Sequence, residues 1–109
     1  MNAIEVLEAA KKKLLDGGWQ RNHWGEEGGP YCSEGALIWV QYDHRNSRRN
    51  SRLTVQAKVE ATRFLLDAIE RRTGQRLSVI SWNDRTAIGP SDVIAVFDDA
   101  ILAAKEATA

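Results

Sequence analysis

Residues 54–74 have the sequence TVQAKVEATRFLLDAIERRTG, in which the spacing of the apolar side chains decides the fold class. The spacing alternates between four and three residues, the period of an amphipathic helix, along Val55, Val59, Thr62, Leu66 and Ile69. Thr54 can cap this helix, and Gly74 can end it after Arg71 and Arg72, whose charges favour the last turn. The pattern predicts a long helix over 54–73.

The N-terminal segment predicts a second helix followed by a long loop. Asn2 and Glu5 form a capping-box pattern, and helical spacing of apolar residues continues from there, so we expect a helix over 3–16. Residues 17–32 hold five of the eight glycines and one of the two prolines, a composition typical of a loop. The aromatic residues of this loop indicate that it is ordered and packs on the core: Trp19, Trp24 and Tyr31.

The C-terminal segment predicts another helix. Pro90 precedes Ser91, which can cap a helix, and an apolar face continues over 91–107.

Two short apolar segments fit either a helix or a strand. Residues 36–42 are rich in β-branched and aromatic residues, yet Ser33 and Glu34 precede them in an order that opens helices, which predicts a helix over 34–43. Residues 77–82 are equally ambiguous. If both are helical, the chain is mainly α, a compact single-domain bundle of about five helices; the alternative is α+β with a small two-stranded piece. The bundle's core would contain Trp19, Trp39, Trp82, Phe64 and Phe97.

Three short motifs occur in an order that is similar to a known family. Gly-Gly-Trp occupies 17–19, Cys-x-x-Gly-Ala-Leu occupies 32–37, and Trp-Asn-Asp occupies 82–84. Together they resemble a family of small uncharacterised domains of actinobacteria and their phages. The resemblance implies a helical fold in which the cysteine motif opens one helix and Trp-Asn-Asp closes a short one. It carries no activity over to this chain, favours a phage or actinobacterial accessory protein, and is weakest over 43–52.

Length and composition exclude several protein classes. The chain has 109 residues, 43% hydrophobic and 28% charged, which fits one globular domain over 1–109 and argues against disorder. The longest uncharged apolar stretch, 35–42, is far shorter than the roughly 18 to 20 residues of a membrane span. The first residues lack the features of a secretory signal, so we expect a cytoplasmic protein, and the lone Cys32 agrees with this.

The net charge is zero, but the charges are unevenly distributed. Residues 1–44 carry −3, residues 45–76 carry +6, and residues 77–109 carry −3. Such a chain can pair its basic segment with its own acidic ends or with an acidic partner, and internal pairing is the favoured interpretation.

Cys32 is a candidate nucleophile, because an imidazole from His23 or His44, or a helix N-terminus, can lower the pKa of a thiol. The three residues lack both the spacing and the fourth ligand of a zinc site. Without a recognised local signature, Cys32 is better explained as a small buried residue where the loop meets the helix. We therefore predict no catalytic residue, no metal site and no cofactor, and a chain that is not an enzyme.

The cluster Trp82-Asn83-Asp84-Arg85 has a structural and a functional interpretation. Asn and Asp favour turns, and Trp82 is large enough to anchor such a turn in the core. Alternatively, Asp84 could orient Arg85 toward an anionic ligand at the wall of a polar pocket. The structural interpretation is favoured.

The segment 44–52, HRNSRRNSR, has the most unusual local composition. In a helix its arginines would share one face, and in a loop they would form a basic patch, at Arg45, Arg48, Arg49 and Arg52. Either arrangement suits a phosphate backbone or an acidic protein surface. The pI of about 6.7 argues against a dedicated nucleic-acid binder, for which values above about 9 are usual.

These observations favour a non-enzymatic protein-interaction module, an accessory protein that binds and modulates a host protein. Its contacts would come from the four arginines and, if the glycine-rich loop exposes them, from Trp24 and Tyr31. The alternative is binding of nucleic acid or a phosphate ligand through the stretch from Arg45 to Arg52. The sequence leaves the partner's identity and the oligomeric state open.

Overall fold

The computed structural model describes residues 1–45 and 51–108, with side chains over 1–43 and 55–108. Within these ranges the chain forms five helices, in chain order α1 (Ala3–Gly17), α2 (Ser33–Arg45), α3 (Ser51–Thr73), α4 (Val79–Ser81) and α5 (Pro90–Thr108). A π-helical turn, Trp82–Thr86, continues directly from α4. The same ranges contain an isolated β-bridge, between Trp19 and Tyr31, but no strand. The predicted helical bundle is confirmed, and the two-stranded alternative is not found.

Two predicted helix ends are confirmed. The backbone N–H of Glu5 donates to Asn2 Oδ1 at 2.9 Å and the N–H of Asn2 donates to Glu5 Oε1 at 3.2 Å, which completes the capping box of α1. At the end of α3, Gly74 has a φ of 75°, a left-handed conformation that favours glycine, and its N–H donates to the carbonyl of Glu70 at 2.8 Å.

Two predicted helix starts are wrong. α3 begins at Ser51, so Thr54 lies within the helix and does not cap it. α5 begins at Pro90, whose fixed φ suits the first helical position, and this places Ser91 inside the helix instead of at its cap.

The first ambiguous segment is helical throughout, and the second is helical from Val79 onward. Residues 36–42 lie in α2, which packs against α1 on one side and α3 on another, so that apolar residues occupy more than one face. Residues 77–82 enter α4, which Ser78 caps by accepting a hydrogen bond from the N–H of Ser81 at 3.1 Å.

The apolar core lies between α1, α3 and α5, and α2 packs on α1 and α3. Trp82 and Phe97 are fully buried, as predicted, whereas Trp19, Trp39 and Phe64 are half-buried at the edge of the core. An edge position suits the two tryptophans, because a buried indole N–H needs a polar acceptor.

Part of the basic middle segment pairs with the acidic ends of the chain. Lys58 Nζ lies 2.9 Å from Glu34 Oε1, joining α3 to α2, and Arg72 Nε lies 2.8 Å from Asp92 Oδ1, joining α3 to α5. Ion pairs with this much solvent contact contribute little stability individually. They do confirm internal pairing for these side chains, which reduces the positive charge available to a partner.

Candidate functional site

Asn83 lies at the centre of a buried hydrogen-bond network that we call the Asn83 network. Its Oδ1 accepts from Trp19 Nε1 at 2.7 Å, from the backbone N–H of Ser33 at 2.8 Å and from Ser33 Oγ at 2.7 Å. Its Nδ2 donates to the carbonyl of Gln20 at 3.1 Å and to Asp84 Oδ1 at 2.9 Å. Asn83 and Ser33 are completely buried, so water cannot hydrogen-bond to their polar groups. The network supplies the hydrogen bonds that these groups need.

The π-helical turn sets the position of Asn83. Trp82, at the start of the turn, is 1% exposed and anchors it in the core. Asp84 accepts from the backbone N–H of Asn22 at 2.8 Å as well as from Asn83. Asp84 makes no ion pair with the exposed Arg85 within the described residues. This geometry supports the structural interpretation of the cluster over an anion-binding pocket wall.

Residues 18–32, the Trp24 loop, are fixed from three directions. The β-bridge closes the base of the loop, since the N–H of Gln20 donates to the carbonyl of Tyr31 at 2.9 Å. Trp39 Nε1 in α2 donates to the carbonyl of Gly25 at 3.1 Å. The carbonyl of Trp24 lies so close to Gly35 of α2 that a β-carbon on Gly35 would overlap its oxygen. The Asn83 network adds its bond to Gln20, so the loop backbone is held in one conformation.

The Trp24 loop exposes one of its two candidate aromatic contacts and buries the other. The side chain of Trp24 is 58% exposed. Tyr31 is 3% exposed, and its hydroxyl accepts from the N–H of Gly28 at 2.8 Å. The loop therefore exposes Trp24, as contact with a partner requires. It does not expose Tyr31, because the ring of Tyr31 packs in the core and its hydroxyl bonds to the loop backbone.

A second exposed apolar side chain lies on the neighbouring connection between the π turn and α5. Ile88 is 86% exposed. Its connection is joined to the Trp24 loop by Arg21, whose Nη2 donates to the carbonyl of Ala87 at 2.6 Å and to that of Ile88 at 3.3 Å. Arg21 thus connects the two loops, and each of them carries an exposed apolar residue, Trp24 in one and Ile88 in the other.

Two cavities adjoin the Trp24 loop. The first, of about 680 Å³, is lined by residues of the loop alone, among them His23, Trp24, Glu26 and Pro30. The second, of about 540 Å³, is lined by loop residues together with α1 and α2. Four of the five charged side chains that line the second cavity are in ion pairs, Lys12 with Asp16 and Lys13 with Asp43, and the fifth is the exposed Glu27. The first cavity is the better candidate for a partner's side chain, because Trp24, whose side chain is exposed, is among its lining residues.

Cys32 lies at the junction of the Trp24 loop and α2 and is buried. Its Sγ accepts from the N–H of Gly35 at 3.2 Å, and its carbonyl accepts from the N–H of Ala36 at 3.0 Å. Burial raises the pKa of the Cys32 thiol, and backbone hydrogen bonds from Gly35 and Glu34 offset part of the rise. A neutral, enclosed thiol is a poor nucleophile. Over the ranges that the structure describes, no group of three or more His, Cys, Asp or Glu side chains could hold a metal ion.

We expect Cys32 to react with a thiol reagent such as DTNB at pH 8 on the order of ten times more slowly, or slower still, in the folded protein than in urea. The raised pKa keeps the folded thiol protonated, and its burial restricts access. Absorbance of the released thiolate measures both rates. Equal rates in the folded and unfolded protein would contradict the structural role, and so would complete loss of partner binding in a folded Cys32→Ser variant.

The family model of a family of unknown function, DUF6197, matches residues 1–103. The chain belongs to family DUF6197. No curated protein and no protein of solved structure matches the chain. The Trp24 loop, the Asn83 network and Ile88 all lie within the part of the chain that the DUF6197 model covers. None of the helices described in this DUF6197 chain has the length and apolar character needed to cross a bilayer.

The side chains of the arginine stretch of this DUF6197 chain all lie outside the part of the chain that the structure describes. Arg48 and Arg49 fall in 46–50, and the side chains of Arg45 and Arg52 fall outside the ranges over which side chains are described. Their binding role stays a prediction.

Sequence reasoning missed the Asn83 network and the role of Gly35. Sequence separation hides the network, because Asn83 bonds Ser33 and Trp19, which lie 50 and 64 positions away. A signal for Gly35 was present: glycine costs about 1 kcal/mol in a helix, so its place in the Cys-x-x-Gly-Ala-Leu motif indicates a close approach of another chain segment.

Proposed function

We propose that this DUF6197 chain is a non-enzymatic protein-interaction module whose main contact is the exposed indole of Trp24. One observation carries the proposal: a tryptophan that is 58% exposed stands on a loop whose backbone is fixed by Gly25, Gly35 and the Asn83 network. Tryptophan is among the residues that contribute most at protein interfaces, where it fills a pocket of the partner.

The fixed backbone favours binding. A loop that is already in one conformation loses little conformational entropy on association, so more of the contact energy appears as affinity. Ile88, on the connection that Arg21 ties to the loop, offers a further exposed apolar side chain to a partner.

The partner in this proposal is a host protein, and the chain is an accessory protein of a phage or an actinobacterium acting in the cytoplasm. The motif resemblance supports the source, and the pairing of Lys58 and Arg72 inside the chain supports a protein over a polyanionic partner. Nucleic acid bound through the arginine stretch is the competing outcome of the experiment below.

Trp24→Ala is expected to weaken partner binding by about 2 kcal/mol, roughly thirtyfold in Kd, because truncation removes the central contact. Affinity capture from an actinobacterial lysate, with and without nuclease, identifies the partner, and calorimetry on purified proteins measures Kd. Leu102→Ala is the matched control: Leu102 is also 58% exposed, but on α5, and its truncation should change Kd less than twofold.

Both variants should unfold at the same urea concentration as the parent protein, since exposed side chains contribute little to stability. A Trp24→Ala variant that keeps full affinity contradicts the proposal. Capture that nuclease abolishes supports the nucleic-acid alternative in its place.

A further inference from the structure

The cavity beside Trp24 combines an aromatic wall with a negative charge. Trp24 and Glu26 both line it, and both side chains are exposed. Glu26 takes part in no ion pair or side-chain hydrogen bond among the residues that the structure describes; only its carbonyl is engaged, accepting from the N–H of Gly29 at 2.9 Å. Glu26 and Trp24 are thus two positions apart in the lining of the same cavity, and the carboxylate of Glu26 has no counter-charge among the described residues.

Other aromatic rings of this region already have a cation from within the chain. The guanidinium carbon of Arg21 lies 4.6 Å from the ring centroid of Trp19, and Lys13 Nζ lies 6.0 Å from that of Tyr31. Trp24 has no such cation within the described ranges. The guanidinium of Arg21 is engaged a second time, by the carbonyls of Ala87 and Ile88 in the connection to α5.

We infer that the cavity beside Trp24 takes an arginine side chain of the partner protein, an inference that rests on the proposed function. A guanidinium stacks flat on an indole and at the same time forms two parallel hydrogen bonds to a carboxylate. Trp24 supplies the first surface and Glu26 the second. Gln20 also lines the cavity. Its side-chain Nε2 donates to the carbonyl of His23 at 3.2 Å.

The same charges disfavour an anionic ligand at this site. Glu26 and its neighbour Glu27 are both exposed, so a phosphate approaching Trp24 meets two carboxylates. The partner surface that fits here is basic, which is the opposite of the surface that the arginine stretch would bind.

Titration of the full chain with N-acetyl-arginine methylamide, followed by NMR at the indole N–H of Trp24 and the amide of Glu26, tests the inference. The control probe is N-acetyl-citrulline methylamide, which has nearly the same shape without the charge. We expect saturable shifts with the arginine probe and affinity at least about fivefold weaker with citrulline, from the loss of the cation–π contact and of the charge-assisted hydrogen bonds.

Glu26→Gln and Glu27→Gln form a matched pair of variants. They remove the same charge from adjacent positions, but Glu27 does not line this cavity. Glu26→Gln should weaken binding of the arginine probe by at least about fivefold, because it removes direct hydrogen bonds to the guanidinium. Glu27→Gln should weaken it by less than about twofold, because that charge acts only through attraction that water and salt screen. Trp24→Ala should abolish the shifts at the Glu26 amide.

Three results would overturn the inference: equal affinity for the arginine and citrulline probes, equal effects of the two glutamate variants, or no saturable shift at concentrations that detect millimolar affinity. Shifts of the Trp24 indole by a short DNA duplex would overturn it as well.

Failure of the inference can be distinguished from failure of the proposed function. A partner that depends on Trp24 but tolerates Glu26→Gln contradicts only the inference, whereas arginine-probe binding without any Trp24-dependent partner contradicts only the proposed function.

Discussion

Trp82→Ala is expected to lower the free energy of unfolding by about 3 to 5 kcal/mol, the usual cost of removing a buried large aromatic side chain. Trp82 is 1% exposed and starts the π turn, next to α4, which packs on α2 and α3. Its loss leaves a cavity among these elements. Since small domains are stable by only about 5 to 15 kcal/mol, the variant should be partly unfolded at moderate temperature.

Urea unfolding followed by far-ultraviolet circular dichroism measures this effect without relying on tryptophan fluorescence, which the substitution itself changes. Ile80→Ala is the control, because Ile80 lies in the same short helix and is 44% exposed; its cost should stay below about 1 kcal/mol. A Trp82→Ala variant as stable as the parent contradicts the role of Trp82 in the core. If that stable variant also lost binding, Trp82 would belong to the interaction surface.

The long helices were predictable because local spacing alone specifies them. The apolar period over 54–73 and the capping box at Asn2 both depend on residues within one or two turns of each other. The period located the helix but misplaced its buried face, because Val55 and Val59 are exposed whereas Ala61 and Leu65 are buried. The segment 36–42 was ambiguous for a tertiary reason: α2 contacts both α1 and α3, so its pattern is apolar on more than one face and the helical period is obscured.

The errors at the helix starts also have a physical origin. Thr54 and Ser91 are good caps by residue type, but a cap is defined by backbone conformation as well. At α5 the fixed φ of Pro90 already suits the first helical position, which moves the start one residue earlier. Residue type therefore located these helices but not their first residues.

The candidate site was predictable only in part. Trp24 was predicted because it is an aromatic residue in a glycine-rich loop. Tyr31 is also aromatic and lies in the same loop, but it is buried. Tyr31 takes part in the β-bridge with Trp19 and packs in the core, an arrangement that has no signature in the sequence. The cations over the rings of Trp19 and Tyr31 likewise follow from the fold, whereas the exposed ring of Trp24 has no cation within the described part of the chain.

Asn83→Leu should lower the free energy of unfolding by about 3 kcal/mol, because a side chain of similar size then leaves several buried donors without an acceptor. These donors are Trp19 Nε1 and the backbone N–H and hydroxyl of Ser33. The carbonyl of Gln20 loses its donor too, so the start of the Trp24 loop is released. We therefore expect the binding of any Trp24-dependent partner to weaken together with stability.

A double-mutant cycle with Ser33→Ala separates the network from simple packing. The hydroxyl of Ser33 needs Asn83 as its acceptor, so the double variant should be more stable than the sum of the single effects by about 1 kcal/mol. Urea unfolding gives the four free energies, and amide exchange at Asn22, whose N–H donates to Asp84, reports whether the loop has opened. Additive effects, or an Asn83→Leu variant within about 0.5 kcal/mol of the parent, would mean that Asn83 fills space but does not hold the Trp24 loop in place.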